Sequence, residues 1–181
     1  MDMTLQQQKA QGGASGYLTI DLAALRDNYL TLASKAPYAL TSAVVKADAY
    51  GLGADIVAPV LYDAGCRHFF VAHIDEALSL RLHIAPDAKI FVLNGLQPGN
   101  ETSCSALNII PVLNSLEQVA QWSAQAAVLG KTLPAALQID TGMSRLGLAP
   151  YEVERLLETP AMLKGIDLAC ILSHLACADE P

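Results

Sequence analysis

Six short apolar runs recur along this chain. The first ends at Lys46, and the others are His68–Ala72, Lys89–Leu93, Ile109–Leu113, Pro134–Ile139 and Ile166–Leu172. They return at intervals of roughly 20 to 30 residues, with helix signals between them. Strands spaced this way are joined by crossovers rather than tight hairpins, so each begins in the direction of the one before. The pattern therefore predicts an α/β fold with a parallel sheet. A doubly wound sheet and a (β/α)8 barrel both satisfy it, and both gather their chemistry at the carboxyl ends of the strands.

The helix signals are local. Asp21 caps a helix with Leu22, Leu25, Tyr29 and Leu32 near one face, and a short alternating strand, Tyr17–Ile20, is predicted before it. Asp55–Ala64 reads as a helix stopped by Gly65, and His73–His83 as one facing Ile74, Ala77, Leu78 and Leu82 inward. Ser115 and Gln118 spell a capping box for a helix that Gly130 closes, burying Leu116, Val119, Ala120 and Ala127. Tyr151–Glu158 is a further short helix, while the polar segment Gln97–Ser105 shows no clear periodicity.

With 181 residues, 52% of them hydrophobic, the chain can bury one sizeable core. A net charge of −7 and a pI near 4.9 argue against nucleic acid or an anionic membrane surface as partner, which leaves small molecules. Cys66, Cys104, Cys170 and Cys177 form no C-x-x-C pair, and they read as buried thiols in a reducing, cytoplasmic setting. Residues 1–16 are polar and Gln- and Gly-rich, which predicts a disordered lead-in to a single domain at 17–181. The longest uncharged run, Thr102–Leu116, contains Pro111 and two asparagines and makes no membrane span.

The richest stretch is T-S-A-V-V-K-A-D-A-Y-G-L-G at 41–53, where a β-branched run delivers Lys46 to a loop. A lysine just past a buried strand end loses hydration, which favours the neutral amine that attacks aldehydes. Taken alone, such a lysine is most simply a solvated charge. The motif V-V-K-A-D-A-Y-G-L-G, however, resembles the cofactor-lysine motif of bacterial alanine racemases, with Leu52 where a histidine is often found. The resemblance implies that Lys46 carries pyridoxal 5'-phosphate as a Schiff base and that Tyr50 donates to its phosphate. It also selects the barrel and implies that two of its eight strands, and a C-terminal β-domain, lie outside these residues.

Two further stretches extend the likeness. D-T-G-M-S-R-L-G at 140–147 resembles the racemase segment whose arginine, here Arg145, bonds the cofactor's phenolic oxygen and contacts substrate. A guanidinium suits that work because it stays cationic and presents fixed donors. The D-T-G triplet also occurs in aspartic proteases, but those are built from hairpins, and here Asp140 is a turn former. His174, in L-S-H-L-A-C-A-D-E, matches an imidazole that lies beside the cofactor. At Gln138 the family often has a lysine modified to a carbamate that braces the arginine. A carboxamide carries no charge, so Arg145 must be oriented by a neutral hydrogen bond or a bound anion. His73 and His83 form no H-E-x-x-H pair and are read as structural, and no metal site is expected.

The resemblance implies interconversion of L- and D-alanine for peptidoglycan synthesis by a homodimer. Lys46 would serve one face of the substrate, and a tyrosine of the partner subunit the other. A non-catalytic pyridoxal-phosphate-binding barrel and an inactive truncated gene product are the competing readings.

Overall fold

The computed structural model describes residue 16 and residues 18–178. Six strands form one sheet: β1 (Ala43–Val44), β2 (His68–Val71), β3 (Lys89–Val92), β4 (Ile109–Leu113), β5 (Leu133–Gln138) and β6 (Ile166–Leu172). Every strand pairs in parallel with its successor, so spatial order follows chain order. A doubly wound sheet reverses its winding at a switch point, whereas this one never does, and that order is the winding of a barrel. Residues 18–20 form no strand: Leu18 is 75% exposed, with no ladder to join among the described residues. Tyr17 and, apart from Gly16, the predicted lead-in lie outside the described residues.

The connecting helices are α1 (Leu22–Lys35), α2 (Lys46–Gly51), α3 (Ala54–Asp63), α4 (Ile74–Arg81), α5 (Glu101–Ala106), α6 (Leu116–Leu129) and α7 (Pro150–Glu158), with a 3-10 turn at Pro160–Leu163. The polar 97–105 segment thus contains a short helix. Period-2 alternation splits the strands between two cores. Ile90 and Val92 of β3 face the helices with Ile109, Leu113 and Trp122, while Phe91 joins Ile110, Val112 and Ala136 on the inner face. The register between β5 and β6 slips at Ala135/Ala136, whose partners are Leu168 and Cys170. That one-residue bulge reverses the phase of β6: Leu168 packs with the helices, but Cys170 and Leu172 turn inward.

The caps are formed as the sequence indicates, with one adjustment. Asp21 accepts from the Ala24 amide at 3.0 Å, and Ser115 accepts from Gln118 at 3.3 Å. The Gln118 carboxamide, however, does not return to Ser115 but accepts from the Asn114 amide at 2.8 Å. The buried stripe of α6 is Val119, Trp122 and Ala126, and Ala120 and Ala127 face solvent. A helix rich in alanine has little hydrophobic contrast, so the one large side chain sets its rotation. On α4 the buried residues are Ala77 and Leu80, while Leu82 is exposed beyond the helix end; on α1, Leu32 is exposed. The thiols also divide: Cys66 and Cys104 are buried, Cys170 is half-buried and Cys177 exposed. Burial pushes Cys104 up to about 12.

Trp122 is 1% exposed and donates its indole N–H to the Pro134 carbonyl at 3.2 Å, tying α6 to β5. Trp122→Ala should cost about 3–5 kcal/mol, read as a lowered denaturant midpoint, because it leaves both a cavity and an unpaired carbonyl.

Candidate functional site

β1 is short, and Val45, 2% exposed, ends it by donating to the Phe70 carbonyl at 2.8 Å. The chain then coils the wrong way. Ala47, Asp48, Ala49 and Tyr50 have φ between 50° and 57°, a left-handed turn where an open loop was expected. This conformation costs L-residues about 1–2 kcal/mol each and persists only where neighbours over-determine it. Ala49 donates to Val45 O at 3.0 Å, Gly53 to Asp48 O at 2.9 Å, and Ala54 at the start of α3 to the Asp48 carboxylate at 2.7 Å. From α4, the Glu76 carboxylate accepts from Ala47 at 2.7 Å, Ala72 at 2.6 Å and His73 at 3.1 Å. Burial resists ionisation of Glu76, but these three donors outweigh it and hold the carboxyl below its ordinary range. The turn leaves Lys46 half-buried, its Nζ 5.9 Å from the ring centre of the exposed Tyr50.

After β5 the chain makes a closed loop. Leu148 donates to Gln138 O at 2.8 Å, and Asp140 donates to Leu148 O at 3.0 Å. The Asp140 carboxylate accepts from Ser144 at 2.9 Å and Gly142 at 3.0 Å, and these donors lower its pKa. Gly147, at φ +112°, lies so close to the loop neck that a Cβ would sit 2.7 Å from Asp140 N. Gln138 is buried, and its Nε2 donates at 3.3 Å to the carbonyl of Leu146, the residue after Arg145. This neutral hydrogen bond meets the main chain of the arginine's loop and not the Arg145 guanidinium.

Lys46, Tyr50, Arg145 and His174 all line one cavity of about 920 Å³ at the carboxyl ends of the strands. Asn94, Gln97, Gln118 and Gln138 add neutral polar groups, and Phe70, Leu93 and Leu172 an apolar floor. The β6 bulge is what points Leu172 into this space. In a chain of net charge −7, no carboxylate appears among the described residues that line it. A second cavity, of about 510 Å³, has Asp48, Asp55, Asp75 and Glu76 in its lining. His83 lies there, while His73 faces the Asn94 amide, so neither histidine joins the candidate site. No metal-holding group of acids, histidines and cysteines occurs among the described residues, and no helix there is long and apolar enough to cross a membrane.

A parallel βα sheet that converges an amine, a phenol, a guanidinium and an imidazole on one cavity belongs to the class of barrel proteins with a small-molecule site. The family model described as alanine racemase, N-terminal domain, matches residues 20–181, and the chain belongs to that family. A catabolic alanine racemase of Agrobacterium fabrum is 70% identical over all of this chain and 47% of its own length. One of Brucella ovis is 57% identical over the whole chain and 46% of its own. The crystal structure of alanine racemase from Bartonella henselae with covalently bound pyridoxal phosphate is similar at a TM-score of 0.85 and 44% identity, covering 87% of this chain and 46% of that one. The chain thus spans about half the length of the relatives it matches.

Glu76 escaped the sequence reading. Its signal is an acid at the third position of a helix that follows a strand end, and that signal names the helix it caps but not the distant turn it holds. The loop makes its own tests. Gly147→Ala should destabilise the protein by roughly 2–4 kcal/mol in equilibrium unfolding, since both the left-handed φ and the backbone clash oppose a methyl group. Because the folded Asp140 carboxyl is held low, its hold on the loop is complete above the free-aspartate pKa of about 3.9 and fades as pH falls through the folded value. The Gly142 and Ser144 amide resonances should titrate together, with a midpoint below that of free aspartate.

Proposed function

We propose that this chain is the cofactor-bearing part of a pyridoxal-phosphate-dependent racemase that interconverts L- and D-alanine. The observation that carries the reading is a cavity whose described lining residues bring Lys46, Arg145, Tyr50 and His174 together and include no carboxylate. Its donor set fits an anionic aldehyde: an amine to bond the aldehyde carbon, a phenol and a guanidinium to meet oxygen anions, and space for a ring. Pyridoxal phosphate bound there supplies the electron withdrawal that acidifies an amino acid's α-hydrogen.

The chain's own groups have separate tasks. Lys46 holds the cofactor through Nζ and moves a proton on one face of the substrate. Tyr50 donates its hydroxyl to the phosphate, Arg145 holds the phenolic oxygen and the substrate carboxylate, and His174 orders the groups beside the ring. Inversion requires a second base on the opposite face, which this reading assigns to the partner subunit of a homodimer. The same reading makes 17–181 part of a barrel domain preceded by a polar lead-in at 1–16, working in the cytoplasm to supply D-alanine to the cell wall. The acidic net charge and the cysteines without a C-x-x-C pair support that setting.

Borohydride reduction of the full-length protein with pyridoxal phosphate, followed by peptide mapping, should place the label on Lys46. Label on another lysine alone would remove the assignment. Chiral chromatography should show that Lys46→Ala abolishes alanine interconversion, while Gln138→Lys leaves most of it, because Lys46 forms a covalent bond and position 138 acts only on a loop.

A further inference from the structure

Glu76 and Glu152 use the same device. Each lies in the first turn of its helix and accepts from the residue just before that helix: His73 at 3.1 Å for Glu76, and Ala149 at 2.9 Å for Glu152. Each then reaches back with its other oxygen to an amide of an earlier βα unit. Glu152 takes the amide of Leu116, the first residue of α6, at 3.0 Å. Glu76 takes that of Ala47, the first left-handed residue after Lys46, at 2.7 Å.

We propose that Glu76 is a positioning residue for Lys46: its carboxylate clamps the left-handed turn to the end of β2 and so aims the amine into the cavity that Lys46 shares with Tyr50, Arg145 and His174. This rests on the reading of Lys46 as the covalent anchor. The clamp needs both oxygens as acceptors, one for Ala47 and one for Ala72 and His73. A carboxamide supplies only one, so Gln at this position sets an NH2 group against a backbone donor. Once released, Ala47 relaxes toward the right-handed conformations that L-residues prefer, and Lys46 turns with it. Glu152, whose partners carry none of the cavity's candidate residues, is the matched control.

The experiment follows the rate at which borohydride-trapped pyridoxal phosphate accumulates on Lys46 in the full-length protein. Glu76→Gln should slow labelling by at least about tenfold and erase the preference for Lys46 over other lysines, as expected for loss of a hydrogen bond to a charged group. Glu152→Gln should stay within about twofold of wild type, as independent sites do. Replacing the Ala47 amide by an ester, with lactic acid at that position, removes one donor and keeps the Glu76 carboxylate. It should reproduce the Glu76→Gln result, and it carries the test should that variant fail to fold. Labelling of Lys46 at the wild-type rate in either would overturn the proposal. If wild-type Lys46 takes no label, the functional reading fails, and amide hydrogen exchange decides about the clamp. Exchange at Ala49 and Leu52 should accelerate in Glu76→Gln and the ester but not in Glu152→Gln; unchanged exchange in both sinks the clamp.

Discussion

The structure depends on the parallel ladder that joins each strand to the next without a reversal. Because all six strands point the same way, their carboxyl ends share one rim, and residues far apart in the chain meet there. Lys46 follows β1, Arg145 lies in the loop after β5, and His174 comes just past β6. The ladder fixes which end of the sheet gathers these side chains, and the bulge in β6 fixes which side chains at that end face inward.

Rim loops need holding, since they lack a ladder of their own. Here side chains bond the backbone of adjacent units. Asn114 donates to Leu93 O at 2.9 Å, and Gln118 joins the Asn114 amide to Asn94 O. Each replaces a hydrogen bond to water with one whose geometry is fixed, which holds a site to its shape more than it adds to net stability. Gln138 does the same for the Arg145 loop through a neutral carboxamide.

Much of this was legible from the residues. Apolar runs located the six strands, Asp21, Ser115 and Gly130 marked their helix ends, and three motifs named four side chains that do share a cavity. What was not legible depends on tertiary contact. Alternation at 17–20 suggested a strand, but a strand needs a neighbour, and 18–20 pair with none among the described residues. The phase of α6 was blurred by its alanines until Trp122 could be seen against β5. Nothing in A-D-A-Y favours left-handed backbone, so local propensity could only suggest a loop; the conformation is imposed by α3 and α4.

That imposed turn sets an order of assembly. Glu76 lies 29 residues beyond the amide it holds, across β2 and the first turn of α4. As the chain is synthesised from its amino end, Lys46 emerges with a flank that prefers other conformations, and it gains its final direction only after α4 has formed against β2. The turn beside this cavity-lining lysine is thus fixed only once the second βα unit is in place.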